Sequence, residues 1–327
     1  MKNILVIGSF GQIGSELTPE LRRRYGSCNV VAADLHVKAD NPIAQDGPVE
    51  TLDVTSQQSI AAIVNKYKID TIFNMAAILS VVAETKPQVA WNVGVNGIFN
   101  CLEVAREYKC ALFTPSSIAA FGEGTPLDHT PQDTIQRPGT MYGVTKVTSE
   151  LLSDYYHKRY GVDTRSVRYP GIISNVTMPG GGTTDYAVEI YYEAINSGRY
   201  TCFLKKGTFL DMMYMPDALN ATIQLMDADP LKLKHRNSFN ISAMSLDPEM
   251  IAAEIRKHIP GFKLDYQIED GKQKIADSWP NSMDDSCARN EWNWKPEWDL
   301  AAMTTDMLKA IKEKNAKGLL KTAGAEL

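Results

Sequence analysis

The first 170 residues alternate short apolar runs with longer amphipathic stretches, and this alternation permits few folds. The runs ILVIG, VVAAD, TIFNMAA, ALFTPSS and TRSVRYP have the pattern of buried strands. The stretches between them have the pattern of helices, the longest from about Pro87 to Tyr108 and from about Tyr142 to Tyr160. Continuous apolar strands that alternate with helices pair in parallel and are covered by helices on both faces. The sequence therefore predicts an α/β fold with a doubly wound parallel sheet.

A glycine-rich turn follows the first of these runs. In GSFGQIG, Gly8, Gly11 and Gly14 lie between a strand and a helix, where glycine permits a tight turn and lets the backbone approach a pyrophosphate. The start of the helix then offers free N–H groups. Asp34 ends the second strand, 20 residues after Gly14, where a carboxylate binds the adenosine ribose and repels a 2′-phosphate. The pattern predicts a Rossmann-type domain that binds NAD rather than NADP, although such turns and strand-end acids also occur without a nucleotide.

The stretch YGVTK predicts the catalytic group of such a domain. Tyr142 and Lys146 are four residues apart at the start of a predicted helix, so their side chains share one face. The positive charge of the lysine favours a tyrosinate and lowers the pKa of the phenol toward that of a working base. Ser116 and Ser117 end a strand at the carboxyl edge of the sheet, where α/β folds bind ligands. A Tyr–Lys pair also arises by chance in helices, but the nearby serines favour catalysis.

After Pro170 the alternation stops and shorter elements mix with loops. A Pro/Gly/Thr-rich loop, VTMPGGGTTD, precedes a helical stretch, YAVEIYYEAINSG, and no low-complexity linker separates the two parts of the chain. We predict a Rossmann domain from residues 1–170 with part of 206–242 packed on it, a smaller substrate lobe from 171–205 and 243–312, and a tail from 313–327.

Composition and charge argue against several classes of protein. The net charge of -5 argues against a nucleic-acid partner, because such proteins usually carry a basic face. No apolar run approaches the roughly 20 residues that span a bilayer, and no leader pattern precedes the first strand. The cysteines and histidines are scattered, so we expect reduced thiols and no metal site. We expect a cytoplasmic protein, or a mitochondrial matrix protein only if a transit peptide has been removed.

Together these motifs resemble the extended short-chain dehydrogenase/reductase family over essentially the whole chain. The resemblance rests on GSFGQIG, the acid after the second strand, LDVTS, NMAA, PSSIAAFG and YGVTK. It implies that Tyr142 is the general base, that Lys146 holds the nicotinamide ribose, and that Ser117 positions the substrate oxygen. Asn96, on the long predicted helix, would support proton transfer. The implied NAD site is lined by Gly8, Phe10, Gly11, Gln12, Ile13, Gly14, Asp34, Asp53 and Val54 (both against adenine), Asn74, Met75, Ala76, Ala77, Asn96, Tyr142, Lys146, Tyr169, Pro170 and Ile172.

A second resemblance narrows the substrate. PGGGTTDYAVEIYYEAI, GTFLDMMYMPDALNATIQLM and ADSWPNSMDDSCAR are similar to segments of the short-chain type of L-threonine 3-dehydrogenase, which oxidises L-threonine with NAD in threonine catabolism. The first segment offers hydroxyls and N–H groups at a helix start, which suit a small carboxylate, although the same residues could simply cap the helix. The implied substrate site consists of Ser80, Ser116, Ser117, Tyr142, Gly171, Thr183, Thr184, Asp185 and Trp279.

The same resemblance gives expectations for the C-terminal lobe and for assembly. Trp279 would shield the substrate from water, unless it is an ordinary core tryptophan. The helices predicted over 87–108 and 142–160 have surplus apolar surface and would pair with their copies in a homodimer. The remaining tryptophans of the C-terminal segment are expected in the core of the small lobe: Trp292, Trp294 and Trp298.

Two other functions stay open. A nucleotide-sugar epimerase or dehydratase commonly has an asparagine soon after the strand that ends in Arg-Tyr, where this chain has Pro170 and Gly171, and the following loop has no basic residue for a diphosphate. A non-catalytic NAD sensor would have no reason to keep Ser117, Tyr142 and Lys146. The sequence therefore favours oxidation of the small molecule L-threonine, with neither nucleic acid nor membrane as a partner.

Overall fold

The computed structural model describes residues 1–177, 180 and 182–318; residues 319–327 of the predicted tail lie outside this range. The strands are β1 (Ile4–Ile7), β2 (Val30–Asp34), β3 (Val49–Thr51), β4 (Thr71–Asn74), β5 (Ala111–Phe113), β6 (Ser116–Ser117), β7 (Thr164–Arg165), β8 (Val167–Tyr169), β9 (Gly171–Ile173), β10 (Arg199–Cys202), β11 (Leu210–Tyr214), β12 (Phe239–Asn240), β13 (Met244–Leu246) and β14 (Lys263–Tyr266). The helices are α1 (Gly14–Tyr25), α2 (Pro42–Gln45), α3 (Gln57–Tyr67), α4 (Ser80–Thr85), α5 (Pro87–Trp91), α6 (Gly97–Tyr108), α7 (Met141–Tyr160), α8 (Tyr186–Asn196), α9 (Met215–Asp227), α10 (Pro248–His258), α11 (Asp270–Ala276), α12 (Ser286–Trp292) and α13 (Leu300–Ala316). None of the helices in these described ranges is both long and apolar enough to cross a bilayer.

Six parallel strands form the central sheet in the order β3-β2-β1-β4-β5-β7. The chain begins at β1, builds outward to β3, and then returns to the other side of β1 to place β4. Successive crossovers therefore diverge between β1 and β4, and in open parallel sheets ligands bind at this switch point, beyond the carboxyl ends of the strands. The predicted doubly wound Rossmann-type fold is confirmed.

Both faces of the sheet are covered, as the apolar strands predict. Along β1, Ile4 and Val6 pack into one apolar cluster with residues of α1 and α9. The intervening Leu5 and Ile7 pack into a second cluster with residues of α3 and α6. Because successive side chains of a strand point to opposite faces, a strand buried on both sides is apolar at every position.

A third apolar cluster joins α8, α10 and α13 and includes Trp279. Trp298 packs against this cluster, as expected for the small lobe. The expectation was wrong for Trp292 and Trp294, which belong to the cluster with β1 and α9. The helix α12 packs against the Rossmann domain, where the ring centroids of Trp292 and Phe239 are 5.8 Å apart.

The long helix predicted from about Pro87 to Tyr108 is present, but it contains a π-helical segment over Asn92–Asn96 that joins α5 to α6. Within that segment Gly94 lies against α7, where a Cβ atom on Gly94 would be 2.9 Å from the Cβ atom of Thr145. Glycine thus allows the π-helical segment to approach α7 closely, next to the start of the helix that carries Tyr142.

Candidate active site

A groove crosses the carboxyl edge of the sheet at the switch point. It consists of two cavities, of about 430 and about 310 Å³, which share Gly11, Met75 and Ala77 in their walls. The larger cavity lies over the end of β2, and the smaller one extends toward α7 and α8. The predicted cofactor residues that line the two cavities are Gly8, Phe10, Gly11, Gln12, Ile13, Gly14, Asp34, Asp53, Val54, Met75, Ala76, Ala77, Tyr142, Lys146, Tyr169, Pro170 and Ile172.

The glycine-rich turn forms the floor where the cavities meet. Gly8 has a φ of +78°, a left-handed conformation that glycine adopts without strain. A Cβ atom on Gly8 would lie 2.8 Å from the backbone nitrogen of Ala76, and one on Gly14 would lie 2.1 Å from the carbonyl oxygen of Gly8. Side chains at these two positions would fill the turn and push it away from the sheet. The cradle therefore fits a group that needs close backbone approach, such as a pyrophosphate.

Asp34 stands at the end of β2 in the wall of the larger cavity. Its Oδ2 accepts a hydrogen bond from the backbone N–H of Phe10 at 3.0 Å. Its Oδ1 accepts a longer one, of 3.4 Å, from the backbone N–H of His36. The carboxylate thus holds the glycine-rich turn in place and lies where a ribose of a bound dinucleotide would need an acceptor.

One face of α7 brings the predicted catalytic residues to the groove. Thr140 begins the helix by accepting a first-turn N–H at its side chain, and Gly161 ends it in a left-handed conformation. These caps fix the register in which Tyr142, Lys146 and Glu150, each four residues apart, share one face. Tyr142 and Lys146 line the smaller cavity, and Glu150 lies deeper in the protein.

The three predicted catalytic side chains lie together. The hydroxyl of Ser117 lies beside the phenol of Tyr142, and its Oγ atom accepts the backbone N–H of Ala119 at 3.2 Å. The Nζ atom of Lys146 lies 5.4 Å from the centroid of the Tyr142 ring and donates to the carbonyl oxygen of Pro115 at 2.7 Å. This arrangement has the components for proton transfer from a hydroxyl: a phenol, a neighbouring hydroxyl and a nearby cation.

The pKa of Tyr142 differs from the expectation. Burial raises the pKa of the Tyr142 phenol to about 12, and the neighbouring hydroxyl of Ser117 opposes this rise. Burial also lowers the pKa of Lys146 to about 8, while the charge of Glu150 acts in the opposite direction. In the protein alone, desolvation of the phenol therefore outweighs any lowering of its pKa by Lys146, whose ammonium group donates to Pro115. That Lys146 favours the tyrosinate during the reaction stays a prediction.

The predicted substrate residues surround the far end of the smaller cavity. Besides the catalytic group, they are Ser80, Ser116, Gly171, Thr183, Thr184, Asp185 and Trp279. The Oγ1 atom of Thr183 is buried and has no hydrogen-bond partner among the described residues. Asp185 precedes α8 without capping its first turn, and it accepts the N–H of Gly182 at 2.6 Å. Trp279 belongs to the third apolar cluster and also lines the cavity. That it shields a substrate from water stays a prediction.

Comparison with known proteins identifies the family of this fold and groove. The model of the NAD dependent epimerase/dehydratase family matches residues 4–242. The chain belongs to this family. The extended short-chain dehydrogenase/reductase resemblance is thereby confirmed, and NAD is the cofactor that the groove accommodates.

Individual relatives of this epimerase/dehydratase family member cover almost its entire length. An uncharacterized epimerase/dehydratase of Staphylococcus haemolyticus is 54% identical over 96% of this chain and 99% of its own. An L-threonine dehydrogenase from Clostridium difficile is 57% identical, covers 96% of this chain and 98% of its own, and superposes with a TM-score of 0.95. A monomeric L-threonine 3-dehydrogenase from a metagenome is 42% identical, covers 95% of this chain and 99% of its own, and superposes with a TM-score of 0.91.

Two predicted cofactor residues of this family member do not line the groove itself. Asn74 is buried at the end of β4 and lines a small pocket behind Tyr142 and Lys146. Asn96 is exposed, and its side chain donates to Oδ1 of Asn92, four residues earlier, at 3.0 Å. Gly94, two residues before Asn96, occupies the helix face that reaches this pocket. Residues two apart on a helix point in different directions, so Asn96 faces away from the groove and the prediction for it was wrong.

Sequence reasoning missed an ion pair behind the catalytic group of the family member. The guanidinium of Arg168 donates two hydrogen bonds to Glu150, of 2.8 and 2.9 Å, and both side chains are only 7% exposed. Ser116 also donates to Glu150, so its hydroxyl is engaged there although the residue lines the groove. The four-residue spacing from Lys146 to Glu150 was the available signal, since it places the carboxylate on the catalytic face of α7.

Proposed function

We propose that the chain is an NAD-dependent L-threonine 3-dehydrogenase. The observation that carries this proposal is the lining of the smaller cavity beside Ser117 and Tyr142. Among its described residues Lys146 is the only cation, so a sugar diphosphate would lack charged partners. A small zwitterion finds complementary groups instead: Thr183 and Thr184 can donate to a carboxylate, and Asp185 can accept from an ammonium group. The similarity to L-threonine dehydrogenases supports the same substrate.

The chain's own residues would bring about the reaction as follows. Ser117 donates a hydrogen bond to the side-chain oxygen of L-threonine and orients it toward Tyr142. Tyr142, as the tyrosinate, removes the proton of that hydroxyl, and the charge of Lys146 lies close enough to stabilise the anion. Gly8, Gly11 and Gly14 would hold the pyrophosphate of NAD, and the bound cofactor would supply the acceptor for a hydride from the β-carbon. L-Threonine and NAD⁺ thus become 2-amino-3-oxobutyrate, NADH and a proton, while Trp279 limits access of water.

Formation of NADH tests this function directly. Purified protein is mixed with NAD and L-threonine, and the absorbance of NADH is recorded, with L-serine, L-allo-threonine and UDP-galactose as alternative substrates. The expected result is NADH formation with L-threonine and little with the others. Absence of NADH with L-threonine would exclude the proposed reaction, and conversion of UDP-galactose instead would indicate a nucleotide-sugar epimerase.

Replacing Asp34 by alanine should weaken NAD binding and reduce discrimination against NADP. The carboxylate would accept hydrogen bonds from the ribose and repel a 2′-phosphate, and hydrogen bonds to charged groups are worth about 1.5–3 kcal/mol, or roughly tenfold or more in affinity. The variant also loses the bond to Phe10, which loosens the turn for both cofactors, so the ratio of the two dissociation constants is the decisive measurement. Asp40→Ala, an exposed acid nearby, is the control. An unchanged ratio would remove Asp34 from the cofactor site.

We further propose that α6 and α7 pair with their copies in a homodimer. Large apolar side chains are exposed on both helices, among them Phe99, Leu151 and Tyr155. Because contiguous exposed apolar surface marks interaction sites, we expect light scattering to give the mass of a dimer. Leu151→Glu should shift the protein to monomers, and Leu231→Glu, at a residue 93% exposed elsewhere, should not. A monomeric unmodified protein would refute the dimer and would match the monomeric relative described above.

A further inference from the structure

Four side chains with metal-binding atoms converge away from the groove, beside α12. Cys287 and Glu291 lie one turn apart on that helix, and His235 lies in the loop before β12. One ligand atom from each of these three residues lies within 4.8 Å of the others. Asp133 reaches the same histidine from a separate segment. These residues are far apart in sequence, so the fold alone assembles them.

The ring of His235 is fixed by Glu291. Its Nδ1 atom forms a short hydrogen bond with Oε1 of Glu291. The other carboxylate oxygen accepts the backbone N–H groups of Lys234 and His235, at 2.5 and 3.1 Å. A carboxylate at Nδ1 selects the tautomer in which Nδ1 carries the proton and Nε2 presents its lone pair. This is the arrangement that orients metal-binding histidines in proteins.

The free nitrogen of His235 faces two further potential ligands. Nε2 lies 3.8 Å from Sγ of Cys287 and 3.7 Å from Oδ2 of Asp133. The separation from Asp133 is longer than a normal hydrogen bond. A tetrahedral ion with bonds of about 2.0–2.3 Å holds its nitrogen, sulfur and oxygen ligands about 3.3–3.6 Å apart. The two separations measured from Nε2 therefore lie a few tenths of an ångström from those that an ion bound by the three atoms would require.

We propose that His235 Nε2, Cys287 Sγ and Asp133 Oδ2 bind one divalent transition-metal ion of the Zn²⁺ type, with Glu291 as the residue that orients the histidine. Nitrogen and thiolate ligands select such an ion over Mg²⁺ or Ca²⁺, which prefer oxygen alone. Asp133 is 89% exposed and can shift to close the shell, while the buried side of His235 rests against Phe239. Water would complete the coordination.

The ion would tie together three segments of the chain. Asp133 follows Thr130, which pairs with Met283 just before α12. His235 precedes β12, and Cys287 lies near the start of α12. The segment from Trp279 to α12 leaves the groove and ends in this cluster, so a bound ion would fix the far end of the segment that carries Trp279. The site would be structural, because it lies outside the reacting cavity.

Cobalt provides a direct test, because its absorption reports both the geometry and the thiolate ligand. The full chain, without a histidine tag and freed of metals by chelation, is titrated with Co²⁺ and then with Zn²⁺. We expect one Co²⁺ per chain, the intense visible bands of a four-coordinate ion, a thiolate charge-transfer band, and displacement by Zn²⁺. Cys287→Ser should abolish the charge-transfer band and weaken binding at least tenfold. Cys28→Ser, at an exposed cysteine outside the cluster, should behave as the unmodified protein.

Other outcomes would overturn the site. The inference fails if the unmodified chain shows no charge-transfer band, or if Cys287→Ser keeps the band. Because a cysteine variant can be damaged in other ways, His235→Asn is measured beside it, with circular dichroism to show that both remain folded. Folded variants that bind Co²⁺ as the unmodified chain does would likewise exclude the cluster as the ligand set. A rise of a few degrees in Tm with Zn²⁺, absent in both variants, is the supporting result.

Discussion

Replacing Tyr142 by phenylalanine is expected to abolish turnover of L-threonine while NAD binding stays nearly intact. The change removes one oxygen atom and keeps the ring, so the packing at the start of α7 is preserved. That oxygen is the proposed base, and general acid–base catalysis contributes about 10²–10⁴-fold to a rate. The glycine-rich turn and Asp34, which would hold the other end of the cofactor, are untouched. The initial rate of NADH formation and calorimetric titration with NAD separate the two effects.

A matched variant distinguishes the loss of the base from the loss of any buried hydroxyl. Tyr186 is also buried, and its hydroxyl has no hydrogen-bond partner among the described residues. Tyr186→Phe should therefore retain activity. Burial raises the pKa of Tyr142 to about 12, so the phenol of the protein alone is protonated at neutral pH, and kcat/KM should rise with pH as the tyrosinate fraction grows. Near-normal turnover in Tyr142→Phe would exclude this residue as the base.

The sequence predicts those features that depend on local pattern. The alternation of apolar runs and helices was enough to predict the doubly wound sheet, because the patterns of strands and helices can each be recognised in a short stretch of consecutive residues. The glycine-rich turn, the acid at Asp34 and the Tyr142–Lys146 spacing follow from the same local rules. The serine at position 117 was found because it ends a strand, and the ends of parallel strands share one edge.

The failures depend on tertiary packing. The prediction for Asn96 assumed the wrong face of a helix whose π-helical segment could not be foreseen from its residues. The side chains of Trp292 and Trp294 were expected in the small lobe, but the direction in which α12 leaves that lobe is set by long-range contacts. The pKa of Tyr142 is set by burial of the phenol and by the neighbouring hydroxyl of Ser117, which sequence spacing cannot give. The cluster around His235 combines segments too far apart to suggest a shared site.

Replacing Glu150 by alanine is expected to destabilise the fold by about 3–5 kcal/mol, because it leaves the guanidinium of Arg168 buried without its counter-charge. Arg168 keeps hydrogen bonds to the carbonyl oxygen of Gln132 and to Asn240, at 2.8 and 3.0 Å, but neither partner carries a charge. Ser116 loses its acceptor at the same time. Chemical denaturation gives the free energy of unfolding, and the midpoint should fall without a change in the slope.

An exposed ion pair serves as the control that shows whether the loss of stability comes from the burial of Arg168. Arg199 and Asp265 form an ion pair of 3.3 Å in which the side chains are 63% and 56% exposed, and Asp265→Ala should change stability by less than about 1 kcal/mol. Glu150→Gln retains the shape of the side chain and can accept a hydrogen bond from Ser116. Its loss of stability should therefore lie between those of Glu150→Ala and Asp265→Ala. If Glu150→Ala costs no more than the surface variant, the pair is not what holds α7 against β8. A stable Glu150→Gln protein with normal NAD affinity and reduced kcat would show that the carboxylate also positions the face of α7 that bears Tyr142 and Lys146.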